Sequence, residues 1–495
     1  MTEIRRDLVL ATIVFVAAWS VYHASHSRAF ESQDTVPNAF LPVSVLTYGD
    51  FAFSSLQAPI MFIWSAKTGH GNTQTLSISR WNELIPGVGV PAWRYHEAGL
   101  LQIQSPRYFL IPTSRRRAGT DQALFVGAFG PGPGLTALPI AAAASWLGWP
   151  ALNDPYVTVQ VATITAELLV AASVAMVFLT AIAFTTRRRA FVLAAAYGLG
   201  TCVWTISANG LWQQTPELFF VSLGILSVLR GENAWVRGVV AGLAFSAAAA
   251  CRPTAAIVAI AALTFLLVSD RRAAVVFVLS MLPAAIGVLA YNNYYLGSPF
   301  DFGQLAAGAA IATQKTGSPD LWQTPLWQGA AGLLFSPSRG LLVYSPFLAA
   351  AFAGGLLAWR HHKYAALRFL TVAVPLLWIP AFIWFDWWGG WTYGYRPIVD
   401  SVPLLAVLCI PALDGLRTQS AWRYAYAAAI GWSVFVQVLG VLAYTPSGWN
   451  ARRTGIKGVT EDIDLPEYRA RLWSWSDWQI GYLIARLPKV VDGER

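Results

Sequence analysis

The first carboxylates after the opening apolar run lie close together, in Glu31-Ser-Gln-Asp34-Thr-Val-Pro37. Three residues apart, they share a face if that turn is helical. A carboxylate there can act as a general base or hold a cation; it can equally be a helix cap followed by solvated charge. Asp50 and the pair His96-Glu97 bring further acceptor-side or second-carboxylate candidates to the same stretch of chain. Three arginines suit an anionic ligand, because the planar guanidinium gives a phosphate two parallel hydrogen bonds. Arg396 stands in Tyr393-Gly-Tyr395-Arg396-Pro397, with aromatic neighbours that also suit an interfacial anchor. Arg252, in Cys251-Arg252-Pro253-Thr254, lies inside an apolar run, where a charge is costly and marks function or a snorkelling helix break. Arg107, before Tyr108, is the weakest of the three.

Other acids read as structural. Glu167 should pair across a bundle, Glu217 should sit at a helix start where the dipole favours it, and Asp301 and Asp386 fit turns. The six histidines show neither HxxxH nor HExxH spacing, which disfavours a catalytic zinc. Two nearby carboxylates permit a divalent ion such as Mg or Mn without requiring it. The three cysteines, Cys202, Cys251 and Cys409, form no CxxC pair. Gly130-Pro-Gly-Pro-Gly134 is no phosphate loop, because its prolines lack the N–H donors such loops use.

The elements that must position these groups are membrane helices. Of 495 residues 56% are hydrophobic and only 12% charged, against about 25% charged in soluble domains; mean hydropathy is +0.49. Several runs exceed the roughly 18 apolar residues that cross a bilayer, and spanning backbone must satisfy its own hydrogen bonds as helix. The expectation is an all-α polytopic transmembrane bundle of about eleven spans. The 23 Trp and 18 Tyr suit interfacial belts. Net charge is +9, but the basic residues are spread over short loops, which favours lipid and phosphate over nucleic acid.

A first helix near 7–24 reads as retained, with its N-terminus cytoplasmic. Residues 25–120 form a long external loop, expected to carry amphipathic helices on the membrane surface. Segment 121–149 is apolar but opens on the Gly/Pro run and reads as re-entrant. Segment 238–269 should break at Arg252-Pro253. Arg5-Arg6, Arg187-Arg188-Arg189, Arg271-Arg272, Arg360–Lys363 and Arg417/Arg423 should face the cytoplasm. Residues 1–444 are the expected membrane body and 445–495 an external Trp-rich tail, whose Trp473–Leu487 stretch has helical spacing.

The acidic motif just past a first helix resembles the C-type glycosyltransferase superfamily, which includes protein O-mannosyltransferases, aminoarabinose transferases and bacterial polyprenyl-phosphate-sugar enzymes. Gly130–Gly134 with Leu138-Pro139 is similar to their Pro-rich approach to the second membrane segment. Arg252-Pro253 is similar to their Arg/Lys-Pro break, and Trp391–Pro397 to a Gly-Tyr-Gly-x-Arg segment before a late helix. Order and rough spacing hold over about residues 1–415.

The resemblance implies inverting transfer of a sugar from a polyprenyl-phosphate donor to an extracytoplasmic acceptor, in a bacterial inner membrane. It makes Asp34 the catalytic base, with Glu31 a supporting carboxylate at an offset that differs from the adjacent pair of many members. Arg396, Arg252, Tyr393 and Arg107 become donor-phosphate candidates. Chemistry alone makes the same demand: phosphate leaves readily, so the site needs an acceptor base and cationic stabilisation of the departing charge. The competing reading is a non-enzymatic transporter or flippase for lipid-linked substrates. Such a protein should show an internal repeat, and the sequence shows none.

Overall fold

The computed structural model describes residues 3–25, 32–53, 59–67, 73–78, 80–86, 88–116, 123–415, 420–453 and 459–491. Glu31 lies outside the described residues.

Among the described residues seven helices are long and apolar enough to cross a membrane: Glu3–Ser25, Pro155–Ala181, Ala234–Cys251, Arg271–Leu296, His362–Ile383, Arg396–Gly415 and Ala421–Ala443. Shorter apolar helices, Pro253–Ser269, Leu326–Phe335 and Pro346–Arg360, complete the body. This is a multi-pass membrane protein. Pro155–Ala181 and Arg396–Gly415 run through its centre, whereas Arg271–Leu296 turns Val275, Leu279, Leu282 and Ile286 outward, as a lipid-facing helix must. Small residues let backbones touch: a Cβ on Gly354 would lie 1.8 Å from the Leu408 carbonyl oxygen, and one on Gly242 2.4 Å from that of Phe277.

The chain breaks where its composition predicts. Arg252 is extended (φ −148°, ψ 115°) between Ala234–Cys251 and a 3₁₀ turn at Pro253–Ala255, because the residue before proline is pushed out of the helical region. The 121–149 segment forms the strand Ala123–Gly127 and then the short helices Gly132–Leu135 and Leu138–Trp146. A Cβ on Gly132 would sit 2.2 Å from the Ala250 carbonyl oxygen and one on Gly134 2.6 Å from Leu41 Cβ. Its glycines therefore allow this segment to wedge between the first loop and the 252 break.

The first loop departs from expectation. The Val36–Tyr48 helix is buried along most of its length, so it is a core element rather than a surface one. Beyond it the chain forms strands in place of amphipathic helices. Phe62–Lys67 pairs antiparallel with both Thr73–Leu76 and Leu101–Pro106, and Leu110–Arg116 pairs with Ala123–Gly127. The strand Leu-Gln-Ile-Gln-Ser-Pro alternates apolar and polar residues with a period of two, which lines one face of a sheet but no face of a helix. Phe40, Phe53, Phe62, Trp64, Ile85 and Leu101 form the core beneath it.

The tail also differs in detail. Pro466–Trp473 is 3₁₀, and the terminal helix begins only at Gln479 (Gln479–Val491), so Trp475 and Trp478 precede it. A hairpin of Ala451–Arg453 and Thr460–Asp462 lies before both.

Candidate active site

Asp34 stands in the turn immediately before the Val36–Tyr48 helix, its backbone N–H bonded to Ser32 Oγ (3.2 Å). Two contacts fix that turn on the bundle. Asn38 donates to the Leu211 carbonyl (2.8 Å), and Gly210 approaches Thr35 so closely that a Cβ would meet its methyl at 3.1 Å. The turn is thereby set against Trp212.

Arg396 reaches Asp34 from the far end of the sequence. Its Nη1 donates to Asp34 Oδ2 at 2.6 Å and its Nη2 to the Gly389 carbonyl at 2.8 Å. The guanidinium lies 4.7 Å over the Trp212 ring, and its buried Nε has no hydrogen-bond partner among the described residues. Asp34 and Arg396 side chains are each 18% exposed.

The residues around Arg396 explain its direction. Tyr393 and Tyr395 are fully buried. The Tyr393 hydroxyl bonds the Val436 carbonyl, and that of Tyr395 bonds Ser345 Oγ (2.7 Å) and accepts from the Cys202 N–H (3.2 Å). With both aromatics turned into the bundle, the Arg396 side chain is left to meet Asp34. Tyr393 is thus a core residue and offers nothing to a donor phosphate, contrary to the sequence reading. Between them Gly394 (φ +54°) lies where a Cβ would meet Cys202 Sγ at 2.7 Å, so no larger residue fits.

The Gly389 acceptor is held as firmly. Gly389 and Gly390 are both left-handed (φ +73° and +67°), and Asp386 Oδ1 accepts the Gly390 N–H at 3.0 Å. Arg339, fully buried, donates to the carbonyls of Trp388 (2.9 Å), Gly390 (3.2 Å) and Ser338 (2.8 Å). It also donates to Asn450 Oδ1 (2.8 Å) and Gln479 Oε1 (3.3 Å) in the tail. One guanidinium therefore clamps the tail, the glycine turn and the body together.

Behind Arg396 a second charged group continues inward. Arg252 Nη2 donates to the Pro397 carbonyl (3.3 Å), while Nη1 lies 2.7 Å from Asp400 Oδ2 and 3.9 Å from Glu217 Oε2. Glu217 is buried in the first turn of Gln214–Arg230, and neither of its oxygens has a hydrogen-bond partner among the described residues. From Asp34 to Glu217 the structure thus links two arginines and three carboxylates through the Arg396–Pro397 backbone.

On the outer side, Lys315 Nζ lies 2.7 Å from Asp386 Oδ2 and 2.9 Å from Asp464 Oδ2. Burial pulls the lysine pKa down, but the two carboxylates together outweigh it and the net shift is upward. Burial, then the neighbouring Asp386, raises the Asp464 carboxyl.

The remaining sequence candidates bind elsewhere. Asp50 accepts from the Tyr295 hydroxyl (2.7 Å) and caps the Ala52 N–H (3.1 Å). His96 packs against Trp81 with centroids 4.6 Å apart and planes inclined at 45°, and Glu97 is exposed at the end of Ala92–Glu97. Arg107 donates to Ser77 Oγ (2.9 Å). Glu167 pairs across the bundle with His23 (2.9 Å), as expected. Asp386, read from sequence as a turn residue, is one and also carries half of the lysine cluster. Asp400, Arg339, Trp212, Lys315 and Asp464 were not foreseen. For Asp400 a signal exists, a carboxylate four residues past Arg396 at the head of an apolar helix; for Arg339 none does. No three His, Cys, Asp or Glu side chains converge as a metal cage among the described residues.

No family model and no curated protein matches this chain. Among solved structures it is similar to ArnT from Cupriavidus metallidurans in the apo state, at 14% identity and a TM-score of 0.46, over all of this chain and 72% of that one.

Proposed function

We propose that this protein is an inverting glycosyltransferase that takes a sugar from a polyprenyl-phosphate donor and passes it to a hydroxyl acceptor outside a bacterial inner membrane. The observation that carries this reading is the Asp34–Arg396 pair, a carboxylate and a guanidinium in direct contact and mostly buried. The motifs that resemble C-type glycosyltransferases, at Asp34, Arg252-Pro253 and Trp391–Pro397, support it independently.

The chemistry follows from the charges. A donor phosphate competes with the Asp34 carboxylate for Arg396, whose planar fork suits either oxyanion. Once phosphate takes the guanidinium and the sugar ring enters between the two side chains, Asp34 is left on the acceptor's face of the ring, free to accept a proton. The acceptor oxygen forms its bond to the anomeric carbon from the face opposite the phosphate. The old carbon–oxygen bond breaks with its electron pair on the phosphate oxygen, and the acceptor proton passes to Asp34. Arg396, steadied by Gly389 and Trp212, stabilises the leaving charge. Arg252 acts as a positioning residue, holding the Pro397 carbonyl next to Arg396.

On this reading residues 1–444 are the transferase body and 445–495 an external tail. Contacts among the basic loops favour a common cytoplasmic end: Arg187 pairs with Asp7 (2.7 Å), and Arg189 and Lys363 both pair with Asp414 (2.7 Å each).

The test is turnover of purified protein in lipid nanodiscs with a panel of polyprenyl-phosphate hexoses and pentoses, reading released polyprenyl phosphate. Sugar release that disappears in Asp34→Asn and in Arg396→Met supports the assignment. A protein that moves the lipid without cleaving any donor, or an Asp34→Asn variant with full activity, overturns it.

A further inference from the structure

An opening near the Gly389 turn belongs to no step above. It is a cavity of about 210 Å³ between the 316–328 segment, the 385–388 segment and the tail at 469–473. At about 30 Å³ per water in the liquid, it has room for a ligand displacing several waters.

Its walls have a definite chemistry. Trp387, Trp388 and Trp473 form an aromatic corner, with centroids 5.9 Å (Trp387–Trp388) and 5.6 Å (Trp387–Trp473) apart and planes inclined at 86° and 51°. Trp387 and Trp388 are buried, so their orientation is fixed; Trp473 is 41% exposed and stands at the mouth. Gln323 and Gln328 also line it. Gln323 donates to the Asp320 carbonyl (2.6 Å) and Thr316 Oγ1 (3.0 Å), which sets the loop before any ligand arrives. Arg469 lies 4.8 Å over Trp388 and donates to the Asp464 carbonyl (3.1 Å); its buried Nε has no partner among the described residues.

Trp473 offers its exposed ring to C–H groups, backed by the buried Trp387 and Trp388. Amides and a guanidinium beside them offer both donors and acceptors. A ligand satisfying both must be a compact ring with one apolar face and a hydroxylated edge. Lys315 pairs with both Asp386 and Asp464, and Arg469, the charged residue of the lining, offsets the negative charge left over, so the surroundings carry no net charge and favour a neutral ligand. We propose that this cavity binds one neutral sugar residue of a glycan acceptor. The acceptor role rests on the transferase reading; sugar binding itself does not.

The cavity is tied to the Asp34–Arg396 pair through one turn. Trp387 and Trp388 line the cavity, and Gly389, next in the chain, accepts from Arg396. A glycan held by the aromatic corner is therefore anchored on the segment that supports the phosphate-binding arginine.

The experiment is ligand-observed saturation-transfer NMR on the full chain in lipid nanodiscs, since maltoside detergents present a competing sugar. The probes are neutral trisaccharides of glucose, mannose, galactose or arabinose, glucuronic acid, and trialanine. At least one neutral trisaccharide should bind, with affinity reduced about tenfold or more, the effect of losing one good contact, in both Trp473→Ala and Gln328→Ala. Absence of binding by every neutral saccharide, binding at the parent protein's level in either variant, or preference for trialanine or glucuronic acid overturns the proposal. Donor turnover measured on the same samples keeps the readings apart. Saccharide binding without turnover removes the transferase reading and leaves the sugar site; turnover without binding does the reverse.

Discussion

If Asp34 caps Arg396 only until a donor phosphate arrives, its removal should strengthen phosphate binding while stopping transfer. Asp34→Asn keeps the side-chain shape and an oxygen acceptor for Arg396 but removes the competing charge. The Coulomb attraction of a close pair near a protein surface is about 4 kcal/mol, and desolvation returns most of it. Both side chains are mostly buried, at 18% exposure, so roughly 1–2 kcal/mol should remain, a factor of about 5–30 in an equilibrium constant. A polyprenyl phosphate should therefore bind Asp34→Asn about 5- to 30-fold more tightly than the parent protein. Loss of a general base should at the same time lower kcat by about 10²–10⁴. Binding would be read by titrating a polyprenyl phosphate into nanodisc-held protein, and kcat by sugar release under donor saturation. Weaker phosphate binding in Asp34→Asn, or an unchanged kcat, refutes the competition between carboxylate and phosphate.

Other perturbations test the supports. Arg252→Met leaves Glu217 and Asp400 buried without their cation and should cost roughly 3–5 kcal/mol; adding Asp400→Asn should recover part of it, measured by thermal unfolding in nanodiscs. Arg339→Ala strips five acceptors of one charged donor and should detach the tail at a cost of roughly 3 kcal/mol or more, seen as faster proteolysis after residue 445. Lys315→Met removes the cation between Asp386 and Asp464. Without it the Asp464 carboxyl, already raised by burial and by Asp386, rises further; that costs stability in full above its folded value and nothing below the ordinary unfolded carboxylate value. The destabilisation should thus be larger at pH 8 than at pH 5, and Asp464→Asn in the same background should shrink the difference. A loss independent of pH would refute that assignment.

The membrane body was legible in the residues because its cause is local. An apolar run of sufficient length must be helical in lipid whatever surrounds it, and the prolines at 131, 133 and 253 interrupt their segments by removing donors and restricting their neighbours. The chemical types of the site were legible too: Asp34 follows the first helix, and Arg252 and Arg396 stand where a charge is expensive. Tertiary structure decided what these groups face. Asp34 and Arg396 meet across 362 positions, a pairing no sequence period encodes. Tyr393 stands three residues from Arg396 yet points into the core, because Tyr393 and Tyr395 together fill the space beside Cys202 and Ser345. The first loop became sheet rather than surface helix because strand pairing partners lie up to 44 residues apart, beyond the reach of local propensity. Arg339 shows the limit most plainly. Its neighbours in sequence mark nothing, and its importance lies in three distant segments that close around a single guanidinium.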